Sequence, residues 1–312
     1  MTNDSATARG HGKLIVFGEH SVVYQRTAVA CSLAGGVRAN LSTMGSPSFH
    51  LQTINGALEV DERVRQAADR LFSTFQLDPK QLTIDVQVDI PLGVGLGSSA
   101  AMATAMAKAA ADLKGLEGAA QRAAVDKAVS ASEAVFHGTP SGIDQRAARG
   151  EGFFAFRSNG EGPRFQPLDV PSNTWLVARV APASSTARMV QSVRRLRDGH
   201  PRLIEGLLDE FGAVADAGAE ALADGDWPRV GELMNINQGL LSALGVSTEV
   251  LERACYAARD AGALGAKLTG AGGGGCIVAL PDADNVEDVK QALEPLGDVY
   301  RHDLPGQSDN QR

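Results

Sequence analysis

The sequence predicts a mixed helix-and-strand chain of about two domains, and three observations carry that prediction. The chain has 312 residues, and ~150 residues is a common domain size, so two domains is the natural prior. Residues 81–90 alternate apolar with polar, the period of a half-buried strand. Just beyond them the run Ala100–Gly115 has the Ala- and Met-rich composition of a helix. Apolar content is 44%, ordinary for a globular chain, and at this length roughly three-quarters of the unfolded surface should be buried. Stability at this size needs neither disulfides nor a structural metal.

The first element is the run Leu14–Phe17, whose length and branched side chains mark a buried strand. Lys13 precedes it and a Gly18-Glu19-His20 turn follows. On these residues alone the plain reading makes Lys13 a solvated strand end and His20 a satisfied turn residue. In the second strand Leu82, Ile84, Val86, Val88 and Ile90 alternate with Thr83, Asp85, Gln87 and Asp89. Pro91 ends it, a glycine-rich loop follows, and the next segment is helical. Helix continues through Ala119–Val135, and Ser130–Phe136 leads to a C-cap at His137-Gly138. Thr139-Pro140-Ser141-Gly142 then turns the chain before Asp144.

A boundary is expected near Pro171–Asn173, dividing the chain into 1–172 and 173–312. There Pro163, Pro167, Pro171 and Ser172 precede an apolar strand, Trp175–Val180. Met189–Leu196, Leu203–Ala219 and Trp227–Leu241 read as amphipathic helices. Arg194, Arg195 and Arg197 read as a solvated helix face, and the tail after Pro305 as disordered.

Composition excludes several classes. The formal charge of −8 argues against nucleic-acid or anionic-membrane binding, which reward clustered Lys and Arg. A local basic pocket for a small anion is still allowed. Cys31, Cys255 and Cys276 are odd in number and far apart, so neither a disulfide framework nor a zinc site is supported. Reduced thiols, a start without the order of a signal peptide, and no apolar run of ~20 residues predict a soluble, cytoplasmic protein.

Glycine marks the chemistry. Gly93, Gly95 and Gly97 form one cluster; Gly262, Gly265, Gly270 and Gly272 through Gly275 form a denser one. The first lies between a strand and a helix start. Free backbone N–H groups and the positive end of the helix dipole there converge on one spot, a ready phosphate site. A Walker A loop would need a lysine after its last glycine, and Ser98 follows Gly97. The dinucleotide fingerprint fits formally as Gly95, Gly97 and Ala100. Its first strand should be almost wholly apolar, whereas this one carries aspartates, and helix occupies the place of its second strand.

Glu133 falls in the last turn of its helix, where the dipole disfavours an anion and a bound cation would offset the cost. Without context an exposed surface glutamate is as good a reading. In the segment Lys267–Leu280, five glycines over Gly270–Gly275 precede a strand. A hairpin needs one or two glycines, so close approach of backbone to a ligand is the better account.

Four segments in order, KLIVFGEHSVVY, PLGVGLGSSAA, HGTPSGID and KLTGAGGGGC, resemble the motifs of the GHMP small-molecule kinases. Within that superfamily they are most similar to the mevalonate kinase branch, which GEH, PSGID and TGAGGGGC favour over galactokinase, homoserine kinase and phosphomevalonate kinase. The sequence departs from the family pattern at Gly10-His11-Gly12, where Ala-Pro-Gly is usual. It departs again at Ser21, usually Ala, and at Gln25, usually Gly.

The resemblance implies an α+β fold in two lobes, the first like ribosomal protein S5 domain 2 and the second ferredoxin-like. It implies ATP and Mg2+ as cofactors, and phosphorylation of the C5 hydroxyl of mevalonate to 5-phosphomevalonate. Pro91, Gly93, Gly95, Leu96, Gly97, Ser98, Ser99 and Ala100 would hold the nucleotide phosphates. Ser99 and Glu133, the latter eleven positions before Asp144, match the metal-binding pair. Asp144 matches the catalytic aspartate and Lys13 its partner. Glu19, His20 and Gly272 would line the acceptor site. Thr186 matches a threonine near the same pocket, with an ordinary helix N-cap as the other reading. A homodimer is common among similar kinases. The rival readings are another GHMP kinase with a different acceptor, and a non-catalytic nucleotide-binding module.

Overall fold

The computed structural model describes residues 4–136, 142–159 and 162–304. The C-cap at His137-Gly138, the turn residues 139–141 and the tail after Pro305 lie outside them. The chain forms two compact units. The first comprises residues up to Lys13, Ser32–Leu92 and Leu96–Glu151; the second comprises Leu14–Cys31, Gly93–Gly95 and Gly152 onward.

The first unit takes most of β1 (Ser5–Phe17) and β2 (Ala28–Ser42), then β3 (Ser48–Thr53), β4 (Gly56–Leu58), α1 (Glu62–Ser73), β5 (Thr83–Val88), α2 (Ser98–Leu113), α3 (Gly118–Phe136) and α4 (Ile143–Ala148). Its sheet runs β4-β3-β5-β2, with β1 also paired to β2. β2 and β5 are antiparallel from Val37 opposite Val88 to Ser42 opposite Thr83, and β3 lies parallel to β5. The predicted alternation holds: Ile84, Val86 and Val88 are buried, Gln87 exposed. The strand begins two residues later than its pattern because Asp78 and Pro79 open a short 3-10 turn that consumes Gln81.

Leu14–Phe17 proves to be the buried end of a longer strand. Its first half is small and polar, and crowding explains why. A Cβ on Gly10 would collide with the Ala101 carbonyl, and one on Gly36 with that of Gly10. α2 is Ala-rich for the same reason, with twelve of its sixteen residues buried against α1, α3 and α4. His11 has a role of its own here: its Nδ1 lies 3.0 Å from the Leu33 carbonyl oxygen, and a Cβ on Gly150 would strike its ring.

The second unit holds the remaining residues of β1 and β2, then β6 (Phe153–Asn159), β7 (Gly162–Leu168), β8 (Asn173–Arg179), α5 (Thr186–Gly199), α6 (Pro201–Asp224), α7 (Trp227–Ala243), α8 (Glu249–Asp260), β9 (Ala263–Thr269), β10 (Cys276–Pro281), α9 (Val286–Leu293) and β11 (Asp298–Leu304). An antiparallel sheet in the order β11-β8-β10-β9 backs a core of Leu176, Leu208, Phe211, Leu241, Leu268 and Ile277. Ala28–Cys31 pairs with β6, and β6 with β7. The three predicted amphipathic helices appear as α5, α6 and α7. Arg194 and Arg195 are exposed as expected, whereas Arg197 bonds Glu205 and lies over the Tyr24 ring, 5.0 Å from its centroid.

The three cysteines are buried as free thiols, and burial pushes Cys255 and Cys276 up to about 12, far from reactive thiolate. Among the described residues no helix is long and apolar enough to cross a membrane.

Candidate active site

Within the first unit, four of the sequence-predicted side chains converge. Lys13 Nζ lies 2.5 Å from Asp144 Oδ1. The lysine is placed by its own backbone, since its N–H donates to the Leu96 carbonyl at 2.9 Å and so ties β1 to the glycine loop. The aspartate sits in the first turn of α4, behind Gly142 in the left-handed conformation. Lys13 is therefore a paired site residue and not a solvated strand end.

Gly97 stands between loop and helix with φ +71°. A Cβ there would lie 2.9 Å from Lys13 Cγ and 3.6 Å from Asp144 Oδ1. Its glycine meets two demands at once, a left-handed turn and room for the ion pair. No side chain caps α2, so its leading N–H groups are open to an anion, the arrangement a phosphate selects. Pro91 and Leu96 are buried, Gly93 and Gly95 exposed, and Ser98 and Ser99 half-buried at the helix start, followed by buried Ala100.

Glu133 is 1% exposed, which removes the surface reading. Its carboxyl is pushed up to about 7, mainly by burial and then by the charge of Asp144; a hydrogen bond with Ser99 and the charge of Lys13 pull the other way. Two neighbouring carboxylates and a serine hydroxyl, with one lysine to balance them, form an oxygen donor set short of positive charge. That is the environment a hard divalent cation fits, since magnesium takes one or two protein oxygens and fills its shell with water and phosphate.

The second unit holds the other candidates. Glu19 is buried, and so is His20, which takes φ +61°. His20 Nε2 lies 2.8 Å from the Ala271 carbonyl oxygen. A carbonyl only accepts, so Nε2 carries the proton and, in the neutral ring, Nδ1 is left as an acceptor. Burial lowers the imidazole pKa, against the pull of the Ala271 bond and of Glu19, and so favours that neutral form. Among the described residues, the side-chain hydrogen bond of His20 is the one made through Nε2.

Gly272 takes φ +76° where a Cβ would strike the Val246 carbonyl, and Gly273 N–H donates to that same oxygen at 2.7 Å. Gly95 approaches Gly270, whose Cα would be 3.9 Å from its Cβ. Thr186 is exposed as the first residue of α5, and the N-cap is its neighbour Ser185, which accepts from Arg188 N–H.

Sequence reasoning passed over Lys267, Asn237 and Gln238. Lys267 is wholly buried and pairs with Glu19 Oε1. Asn237 donates to Glu19 Oε2 at 3.2 Å, and Gln238 accepts from Leu268 N–H at 2.9 Å. A lysine in the largely apolar strand segment ALGAKLT was the available signal.

Comparison with known proteins shows the family. Family models described as the GHMP kinases N-terminal domain and the GHMP kinases C-terminal match residues 62–151 and 219–297. The chain is 37% identical over 300 residues to the mevalonate kinase of Thermococcus gammatolerans, covering 88% of each. This chain belongs to the GHMP kinases. A second relative of this GHMP kinase, the mevalonate kinase of Pyrococcus horikoshii, is 36% identical over 321 residues, covering 94% of this chain and 93% of the relative. The crystal structure of L. major mevalonate kinase in complex with R-mevalonate matches it with a TM-score of 0.87 at 26% identity, covering 98% of this chain and 99% of that one. The two-part α+β GHMP kinase fold expected from the motifs is the fold observed.

Proposed function

We propose that this GHMP kinase transfers the γ-phosphoryl group of ATP to the C5 hydroxyl of mevalonate, giving 5-phosphomevalonate and ADP. The observation that carries the reading is the Lys13–Asp144 ion pair packed against Gly97 at the head of an uncapped helix. Phosphoryl transfer asks a protein chiefly for positioning and for neutralising charge on a loose, in-line transition state. The loop 91–100 would hold the nucleotide phosphates through backbone N–H groups and the α2 dipole. Asp144 orients the acceptor hydroxyl and takes its proton as the new O–P bond forms and the bond to ADP breaks. Lys13, paired with Asp144, balances charge on the transferring group.

Ser99 Oγ and the Glu133 carboxylate would hold Mg2+, whose chemistry is to neutralise phosphate charge. His20, with Nδ1 free to accept, suits a hydroxyl donor of the acceptor, and Glu19, Gly272 and Thr186 serve the same end of the reaction. We assign the phosphate and proton-transfer chemistry to the lobe 1–172 and the second glycine loop to 173–312. A cytoplasmic homodimer is the assembly the reading carries with it.

A coupled ADP-release assay tests the proposal with mevalonate, phosphomevalonate, homoserine and sugars as acceptors. ADP should appear with mevalonate, and 31P NMR should show a phosphomonoester on C5. Release of ADP only with another acceptor would replace mevalonate with that compound.

A further inference from the structure

We infer that Lys267 and Asn237 are positioning residues for acceptor binding, acting through Glu19 to hold His20 in one orientation beside the second glycine loop. The inference rests on the reading above in taking His20 as an acceptor contact, and it concerns how the ring is held.

Both oxygens of Glu19 are engaged inside the protein. Lys267 pairs with Oε1 and Asn237 donates to Oε2, and all three residues are at most 1% exposed. The remaining reach of the ammonium goes to the Leu268 carbonyl at 2.8 Å. Glu19 is the chain neighbour of His20, and Lys267 lies on β9, four residues before the Ala271 carbonyl that holds the His20 ring. The ion pair and the ring hydrogen bond therefore close one circuit, joining the Gly18–His20 turn to the strand that leads into the glycine loop. Gln238, next to Asn237 on α7, bonds Leu268 N–H and also the Ser247 hydroxyl at 3.0 Å, so the same helix steadies β9 and the 246–247 turn under Gly273.

These features are poor devices for stability. A buried ion pair repays its desolvation only with good geometry, and an apolar pair of similar volume is often as stable. Among the described residues Asn237 Oδ1 is buried with no hydrogen-bond partner, which is costly for such a group. His20 adds a backbone at φ +61°, a further cost for a non-glycine residue in a sparsely populated region. Three costly features around one turn point to orientation as what is gained. The amide of Asn237 cannot be reversed to satisfy its oxygen, because that would set a carbonyl against the Glu19 carboxylate.

The test compares Asn237→Leu with the charge-free pair Glu19→Gln/Lys267→Met. Both keep the heavy-atom shape of the side chains near the original and leave no lone buried charge, so both should fold. In each, KM for the acceptor should rise roughly 10- to 100-fold, the size of effect a misplacement of about 1 Å produces. KM for ATP should stay within about twofold, as should the thermal midpoint's order among variants be unrelated to the loss. A merely structural role would lower the thermal midpoint and leave the acceptor KM of the folded enzyme unchanged, and that result overturns the inference. The acceptor used is whichever compound the substrate panel selects, so failure of the mevalonate reading is seen in the wild type alone. Independently of turnover, the 15N signal of His20 Nε2 should move in both variants; an unmoved signal in a folded variant also overturns it.

Discussion

At the scale of single residues, the proposed reaction centres on Asp144 and its lysine. The pair at 2.5 Å holds the carboxylate in place while leaving it partly exposed, 31% by side chain, so that a hydroxyl can reach it. Asp144→Asn preserves shape and removes the proton acceptor. Turnover should fall roughly 10²–10⁴-fold, the usual range for losing an acid–base group, with circular dichroism and thermal midpoint little changed. Near-wild-type turnover would take Asp144 out of the chemistry. In the sequence, these two residues lie 131 positions apart and neither stands out alone. Only their motifs connected them, and the ion pair itself had to wait for the fold.

At the scale of elements, backbone conformation decides two positions. Gly97→Ala puts a methyl group 2.9 Å from Lys13 Cγ at a φ of +71°. Beyond the strain of roughly 1–2 kcal/mol for a left-handed non-glycine residue, it displaces the lysine. Activity should therefore drop at least tenfold at a temperature where the variant is folded, measured as kcat/KM for ATP and acceptor. Gln25 is the converse case. It occupies φ +67° at the end of a 3-10 turn, at the place where the family usually has glycine. Gln25→Gly should raise stability by roughly 0.5–1 kcal/mol, the left-handed strain relieved less the entropy glycine loses on folding, and urea denaturation would register it.

Periodicity made β5 and α5–α7 legible, because each has a face that is buried and a face that is wet, whereas α2 was legible from its Ala- and Met-rich composition. The first half of β1 was not legible. Its small polar residues are chosen by the backbones of α2 and β2 pressing on Gly10 and Gly36, and such crowding has no period.

At the scale of the whole molecule, the buried Glu133 couples protonation to folding. Its carboxyl titrates at about 7 in the folded chain against an ordinary 4.5. A raised value means the folded state holds the proton more tightly than the unfolded state does. The stabilisation is therefore complete below pH 4.5 and is lost as pH rises toward and through 7. The full loss amounts to about 3 kcal/mol at 1.36 kcal/mol per pH unit. His20 works in the opposite sense, because a lowered imidazole value costs stability as pH falls below 6.5. Comparison of wild type with Glu133→Gln isolates the first effect. The urea midpoint of the wild type should lose ground to the variant between pH 5 and pH 7.5 in magnesium-free buffer. Mg2+ with ATP should narrow the gap at pH 7.5, and equal pH slopes in the two proteins would refute the coupling.

The amino-acid sequence by itself determined the class of chemistry. Glycine spacing, strand alternation and four ordered motifs are properties of neighbours along the chain, where physics acts over a few residues. The tertiary structure alone decided what surrounds each charge: that Glu133 is buried beside Asp144, that Lys13 is paired, and that Glu19 is taken up by Lys267 and Asn237. Burial and pairing depend on which distant residues meet, and the cost of a desolvated charge is set by those meetings and not by the residue that bears it.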